Sequence, residues 1–196
     1  MANIGYNEIF RKFIHVLSAI IPLSHIYVFK EKIDMILFLS LMLIFCFFIE
    51  DARNYPKTNK VFKKYLFFMM RNFEKKGSIT GATWVFVGSL LSITIVPSPF
   101  CIIALFFLSV GDTFAAIIGI KYPYFKIGKK TLSGSLACFI ACLGVGLIFN
   151  HILDIEILIF GALVASIVEL ISFNINDNVS IPLVSGCAMY IFSMII

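Results

Sequence analysis

The chain has 196 residues, 60% of them hydrophobic and 14% charged, with a mean hydropathy of +0.99 and a net charge of +5. A soluble domain of this size carries roughly a quarter charged residues, so a water-soluble globular fold is excluded, and with it a soluble basic module for nucleic acid. The composition leaves an all-α, polytopic integral membrane helix bundle, folded as a single transmembrane domain over residues 1–196.

The first apolar segment runs from about Arg11 to Phe29. Asn7 or Glu8 suits its start, and Pro22 predicts a kink. It carries charge in its first turns and exceeds signal-peptide length, so it reads as a span and not as a cleaved leader. Lys30-Glu31-Lys32 links it to a second span, about Ile33 to Ile49. The hydrophilic stretch Glu50 to Ser78 follows. Within it, Val61 to Phe73 interleaves basic residues with Phe62, Tyr65, Leu66, Phe67, Phe68 and Met69, the pattern of an interfacial amphipathic helix in the second loop.

A third span covers about Ile79 to Val96, and Pro97-Ser98-Pro99 turns the chain into a fourth, Phe100 to Ile120. The loop Lys121 to Leu132 is basic. A fifth span, Ser133 to Phe149, carries Gly134, Gly144 and Gly146, which permit close helix approach. The sixth covers about Ile155 to Phe173, and the seventh Ser180 to Ile196. With the N-terminus cytoplasmic, only Lys30 and Lys32 of the 16 basic residues fall outside, so the positive-inside asymmetry predicts seven spans, N-in and C-out. The five cysteines all lie in apolar segments without a Cys-x-x-Cys pair and read as small buried residues.

That topology gathers the unusual polar residues at the cytoplasmic side. Asp112 lies inside the fourth span and Glu169 inside the sixth, where a lone carboxylate costs a few kcal/mol. Each needs a cation, a partner or water. His15 lies one turn from Arg11. Glu50, Asp51 and Arg53 end the second span, Glu74, Thr80 and Thr83 flank the third, and Asp177 and Asn178 follow the sixth. Carboxylates facing a lysine-rich loop suit Mg²⁺-nucleotide chemistry, because magnesium takes one or two carboxylates together with phosphate oxygens and water. Lys129, Lys130 and the helix start at Gly134-Ser135 suit phosphate charge. Structural pairing offers a plainer account, with Asp112 held by Arg11 or a loop lysine and Glu169 bonded to His15.

Arg11-Lys12-Phe13-Ile14-His15, Thr80-Gly81-Ala82-Thr83, Gly111-Asp112 with Ala115 and Gly119, Lys129-Lys130-Thr131 with Gly134-Ser135, and Glu169 with Asp177-Asn178 and Pro182 together resemble the motifs of the CTP-dependent lipid kinases. That family includes dolichol kinase, phytol kinase and the CTP-using diacylglycerol kinase. The resemblance runs in order from about residue 9 to 185. It implies transfer of the γ-phosphoryl of CTP to the terminal hydroxyl of a polyprenol, phytol or diacylglycerol at the cytoplasmic face of the cell membrane.

On that reading Asp112, Glu169 and Asp177 hold Mg²⁺, and Asp112, Glu169, Lys130 and His15 are catalytic. Arg11, Lys12, Lys129, Lys130, Ser133, Gly134, Ser135 and Asn178 bind the nucleotide. The hydroxyl proton goes to His15 or to an unpaired carboxylate; the residues do not choose between them. Partners are the bilayer, the lipid alcohol and a nucleoside triphosphate, with a homo-oligomer allowed. Three departures stand out: Asn176-Asp177-Asn178 occurs where the family often has Asp-Asp-Asn, Pro123-Tyr124 interrupts the basic loop, and Thr131 stands where serine is common. The segment from Asp112 to Lys130 also resembles phosphatidate cytidylyltransferases, the second choice, but their C-terminal basic signature is absent because no lysine or arginine follows Lys130. A small transporter using intramembrane carboxylates is the rival from another class, and no inverted repeat supports it.

Overall fold

The computed structural model describes residues 5–55, 70–71, 74–171 and 175–196. It is mostly helical, and each of the seven apolar segments carries a helix. The interfacial helix expected over Val61–Phe73 falls outside the described residues, apart from Met70 and Arg71.

The first segment is divided into α1 (Tyr6–Leu17) and α2 (Ile20–Tyr27). Pro22 lacks an N–H, and its ring excludes the carbonyl four residues back. That carbonyl, on Ser18, accepts instead from the Ile21 amide at 2.9 Å. The break therefore falls at Ser18-Ala19, one turn before the proline. α3 (Lys32–Asn54) continues past its apolar run, so Glu50 and Arg53 stand on the helix. α4 (Gly81–Ile95) follows a short 3₁₀ turn at Glu74–Lys76.

α5 (Phe100–Lys121) is the central helix, touching α1, α2, α4, α6 (Leu132–Ile148), α7 (Ile155–Ile171) and α8 (Asp177–Phe192). Its middle, Phe107–Gly111, is wound as a π turn directly before Asp112. Gly111 faces Cys138 and Cys142 of α6 so closely that a Cβ there would meet both sulfurs, at 2.9 and 2.7 Å. Phe107, Leu108, Ile103, Leu158, Ile181 and Met189 fill the space around α5 and are wholly or almost wholly buried.

The basic loop is a small antiparallel hairpin, β1 (Lys126–Ile127) and β2 (Lys130–Thr131), an addition to the all-helical expectation. Gly128 has φ +59° at the first position of its two-residue turn, a conformation that suits glycine.

The outer face is apolar. On α3, Ile33, Leu37, Leu41, Ile44 and Phe48 form one stripe along the helix, each more than 60% exposed. A water-facing helix places its polar residues there. Residues 6–27, 32–54 and 100–121 are long and apolar enough to cross a membrane, while α4 and α6 are shorter apolar helices.

Candidate active site

α1 packs on α5 and α3 packs on α4. Between these two pairs lies a cavity of about 1070 Å³. Each bordering helix changes character along it in the same sense. On α1 the lining runs from Arg11, Lys12 and His15 to Leu17, and on into α2 at Ile21; on α3 from Arg53 and Glu50 to Ile49 and Cys46; on α4 from Thr80 and Thr83 to Val85 and Phe86. At 1.5 Å per residue, the path from Arg11 to Ile21 covers about 15 Å and that from Arg53 to Cys46 about 10 Å. One end is charged and the other is hydrocarbon.

Asp112 sits at the junction, 9% exposed. Lys12, itself buried, donates from Nζ to Asp112 Oδ2 at 2.5 Å and to the Asp112 carbonyl at 3.3 Å. His15 Nε2 lies 3.3 Å from the same Oδ2 and forms no hydrogen bond with the protein. Ser18 and Ser109 pair their hydroxyls at 2.8 Å, one turn deeper along α1. The expected partner of Asp112 was Arg11 or a loop lysine; it is Lys12. Arg11 instead pairs with Glu8 on its own helix, three residues back.

Lys130 forms a second centre. Its Nζ lies 2.8 Å from both Glu169 Oε1 and Asp177 Oδ2, so β2 is tied to α7 and to the first turn of α8. Burial disfavours the Lys130 ammonium, but Glu169 and then Asp177 outweigh it and hold its pKa above the ordinary lysine range. Glu169 is 3% exposed, and its Oε2 has no hydrogen-bond partner. It bonds Lys130, not His15. Asp177 and Asn178 border the cavity, as does the exposed Lys129.

Three residues of the expected nucleotide set use their polar groups inside the fold. Ser133 Oγ donates to the Tyr122 carbonyl at 2.7 Å, Ser135 Oγ to the Ser166 carbonyl at 2.8 Å, and the Gly134 amide to Thr131 Oγ1 at 3.1 Å. A Cβ on Gly134 would meet the Ala115 carbonyl at 2.7 Å. The glycine there permits the close crossing of α5 and α6. Among the described residues no three of His, Cys, Asp or Glu converge as a ready-made metal cage.

A third cluster received no role from the sequence, although its members fall on the expected side. Glu50 Oε1 accepts from the Thr80 amide (2.8 Å), Thr80 Oγ1 (2.7 Å) and Thr83 Oγ1 (2.9 Å), while Arg53 Nη2 lies 2.7 Å from Glu50 Oε2. Glu74 accepts from the Gly81 amide at 3.0 Å, and Asn178 Nδ2 donates to the Gly81 carbonyl at 3.0 Å. The available signal was spacing: Glu50-x-x-Arg53 and Thr80-x-x-Thr83 each put two polar residues on one helical face.

Comparison with known proteins gives two distant likenesses. The chain is 27% identical over 195 residues to an uncharacterized protein of Rickettsia prowazekii (strain Madrid E), covering 95% of each. It is also 27% identical over 204 residues to a protein named as probable phytol kinase 1, chloroplastic, of Oryza sativa subsp. japonica, covering 92% of this chain and 63% of the rice protein. No protein-family profile and no solved structure matches the chain. The likeness to the rice protein supports a lipid-kinase-like family at the level of resemblance.

Proposed function

We propose that this protein is a membrane-embedded lipid-alcohol kinase. It transfers the γ-phosphoryl group of a nucleoside triphosphate, CTP by resemblance, to the terminal hydroxyl of a prenol, phytol or diacylglycerol. The observation that carries the reading is the cavity's polarity: charged at one end, hydrocarbon at the other, with Asp112 buried at the boundary. A lipid alcohol has the same profile. The distant likeness to a phytol kinase and the apolar stripe on α3 support it further. In this reading the seven helical segments span the bilayer with the charged end cytoplasmic, as the distribution of basic residues favours.

The hydroxyl enters beside Asp112 and His15. Asp112, held in place by Lys12, orients it, and His15 Nε2, which has no hydrogen bond of its own, takes the proton as the oxygen attacks the γ-phosphorus; the bond from that phosphorus to the bridging oxygen breaks and the nucleoside diphosphate leaves. Lys129 and Arg11 lie on the same cavity and offset the charge that spreads over the transferred group. Lys130 sets the positions of Glu169 and Asp177.

The oxygen donors fit a magnesium ion held by one or two carboxylates together with phosphate oxygens, because Glu169 Oε2 is buried without a partner and Asp112 and Asp177 border the cavity. When bound, the metal supplies charge neutralisation across the phosphates. One or two of Asp112, Asp177 and Glu169 would hold it.

The test uses purified protein in detergent, Mg²⁺, labelled CTP and ATP, and a panel of phytol, prenols and diacylglycerol. Transfer of γ-label to a lipid supports the reading. Liponucleotide from α-label with added phosphatidate makes the protein a cytidylyltransferase instead, and no product from any combination overturns an enzymatic role in lipid phosphorylation.

A further inference from the structure

The sequence places the phosphate-binding helix start at α6, but that end is closed. Thr131 caps it, accepting from Gly134, and the glycine is pressed against α5. Two helix starts open on the cavity: that of α8 is capped by the Asn176 side chain, and that of α4 is not. Thr80, Gly81, Ala82 and Thr83 all line the cavity, and the α4 N-cap makes no side-chain capping hydrogen bond. The Thr80 and Gly81 amides are taken by Glu50 and Glu74. The first intrahelical bond runs from the Trp84 amide to the Thr80 carbonyl, so the amides of Ala82 and Thr83 have no intrahelical acceptor.

A second observation at the same place concerns Arg53. It is 4% exposed and lines the cavity. Its Nη2 donates to the Ser78 carbonyl at 2.8 Å and faces Glu50, but its Nη1 is buried and has no hydrogen-bond partner. An unsatisfied buried donor costs about 1–3 kcal/mol, more when charged. Glu50 is itself fixed by Thr80 and Thr83, so the guanidinium is held in one orientation with a donor to spare. The planar fork of arginine matches phosphate geometry.

We propose that Arg53 and the first turn of α4 form a phosphate-binding subsite. It takes one phosphate of a polyphosphate or of a phosphorylated lipid, placed across the cavity from the Lys12–Asp112–His15 centre. The inference rests on the kinase reading for its place in the reaction, where it anchors the donor's phosphates. It stands without that reading as an anion site. Glu50 and Glu74 are the carboxylates nearest the subsite. Both are committed to backbone amides, and Glu50 also to Arg53. Arg11, Lys12 and Lys129 bring positive charge to the same cavity.

Trp84, the single tryptophan of the chain, lines the cavity one residue beyond the subsite and reports on it. Tryptophan fluorescence of the purified full chain is titrated with tripolyphosphate, with inorganic phosphate and with phosphatidate-containing micelles. The parent responds to at least one of these, and the arm that responds most tightly identifies the source of the phosphate. R53Q weakens that response at least tenfold, in keeping with loss of a charge-assisted hydrogen bond. R53Q leaves Glu50 without its cation, so the double variant E50Q/R53Q, which removes both charges together, covers the case in which R53Q does not fold. No response from the parent, or parental affinity in either folded variant, overturns the proposal. An Arg53-dependent response in a protein that phosphorylates no lipid keeps the subsite and removes the kinase reading. Phosphorylation that R53Q leaves unchanged in KM and kcat does the reverse.

Discussion

Lys12→Met tests whether Asp112 is held by the pair described above. Lys12 Nζ and Asp112 Oδ2 are 2.5 Å apart and both residues are buried. The gross attraction at that distance is about 7 kcal/mol with an effective dielectric of 20. Desolvation of the two ions offsets much of it, so the pair's net worth is small, but removal of one partner strands the other. K12M therefore costs about 3–5 kcal/mol, with His15 at 3.3 Å the remaining partner of Asp112. The double variant K12M/D112N removes both charges and recovers at least half of that loss. The assay is thermal unfolding in detergent, with phosphotransfer measured on the same samples. Stability returns in the double variant and activity does not, because the proposed reaction uses the Asp112 carboxylate to orient the hydroxyl. A K12M protein that melts with the parent, or single-variant losses that simply add in the double, refutes the reasoning.

His15→Asn lowers kcat by about 10²–10⁴-fold, the range for a lost general base, while the melting temperature moves little; an active variant removes His15 from the reaction. Lys130→Met strands Glu169 and Asp177. In the parent, the raised Lys130 pKa means that its stabilisation is complete below the ordinary lysine value and is lost only as pH climbs through the higher folded value, so this group gives a flat profile from pH 5 to 9. In K130M the two carboxylates lose their cation and the variant melts below the parent at pH 7; a variant that melts with the parent counts against the bridge. Gly88→Ala places a Cβ against the Asn178 carbonyl and Val179 Cα, inside contact distance. It forces α4 and α8 apart and lowers both stability and activity, and an unaltered melting curve contradicts that crossing.

The number and order of the apolar segments were legible because each is long and its ends are marked by charge, proline or glycine. The helix break at Ser18-Ala19 was half legible: Pro22 announced it, but the displaced carbonyl set its position four residues earlier. Asp112 and Glu169 were legible as residues in need of partners, since a carboxylate in an apolar run has few ways to persist. Which cation each would find was not legible. Lys12 and Arg11 are adjacent in sequence but point to different sides of α1, and only the packing of α1 on α5 selects Lys12. Ser133, Gly134 and Ser135 looked like a phosphate turn because small and hydroxyl residues at a helix start serve capping and close packing equally well. The Glu50–Thr80–Thr83 cluster escaped a role for the opposite reason: its parts lie 30 residues apart, and each alone is an ordinary helix end.

The π turn at Phe107–Gly111 has a consequence for how the central helix is phased. A π turn adds a residue to a helical turn, so the segments before and after it need not share one register. Phe100–Phe106 keeps its apolar side against α8 and α2, while Asp112–Lys121 is rotated to bring its carboxylate to Lys12. Were the turn plain α-helix with one residue fewer, everything beyond it would swing by about 100° relative to the first half. The direction of Asp112 is thereby written in the length of the helix as well as in its composition.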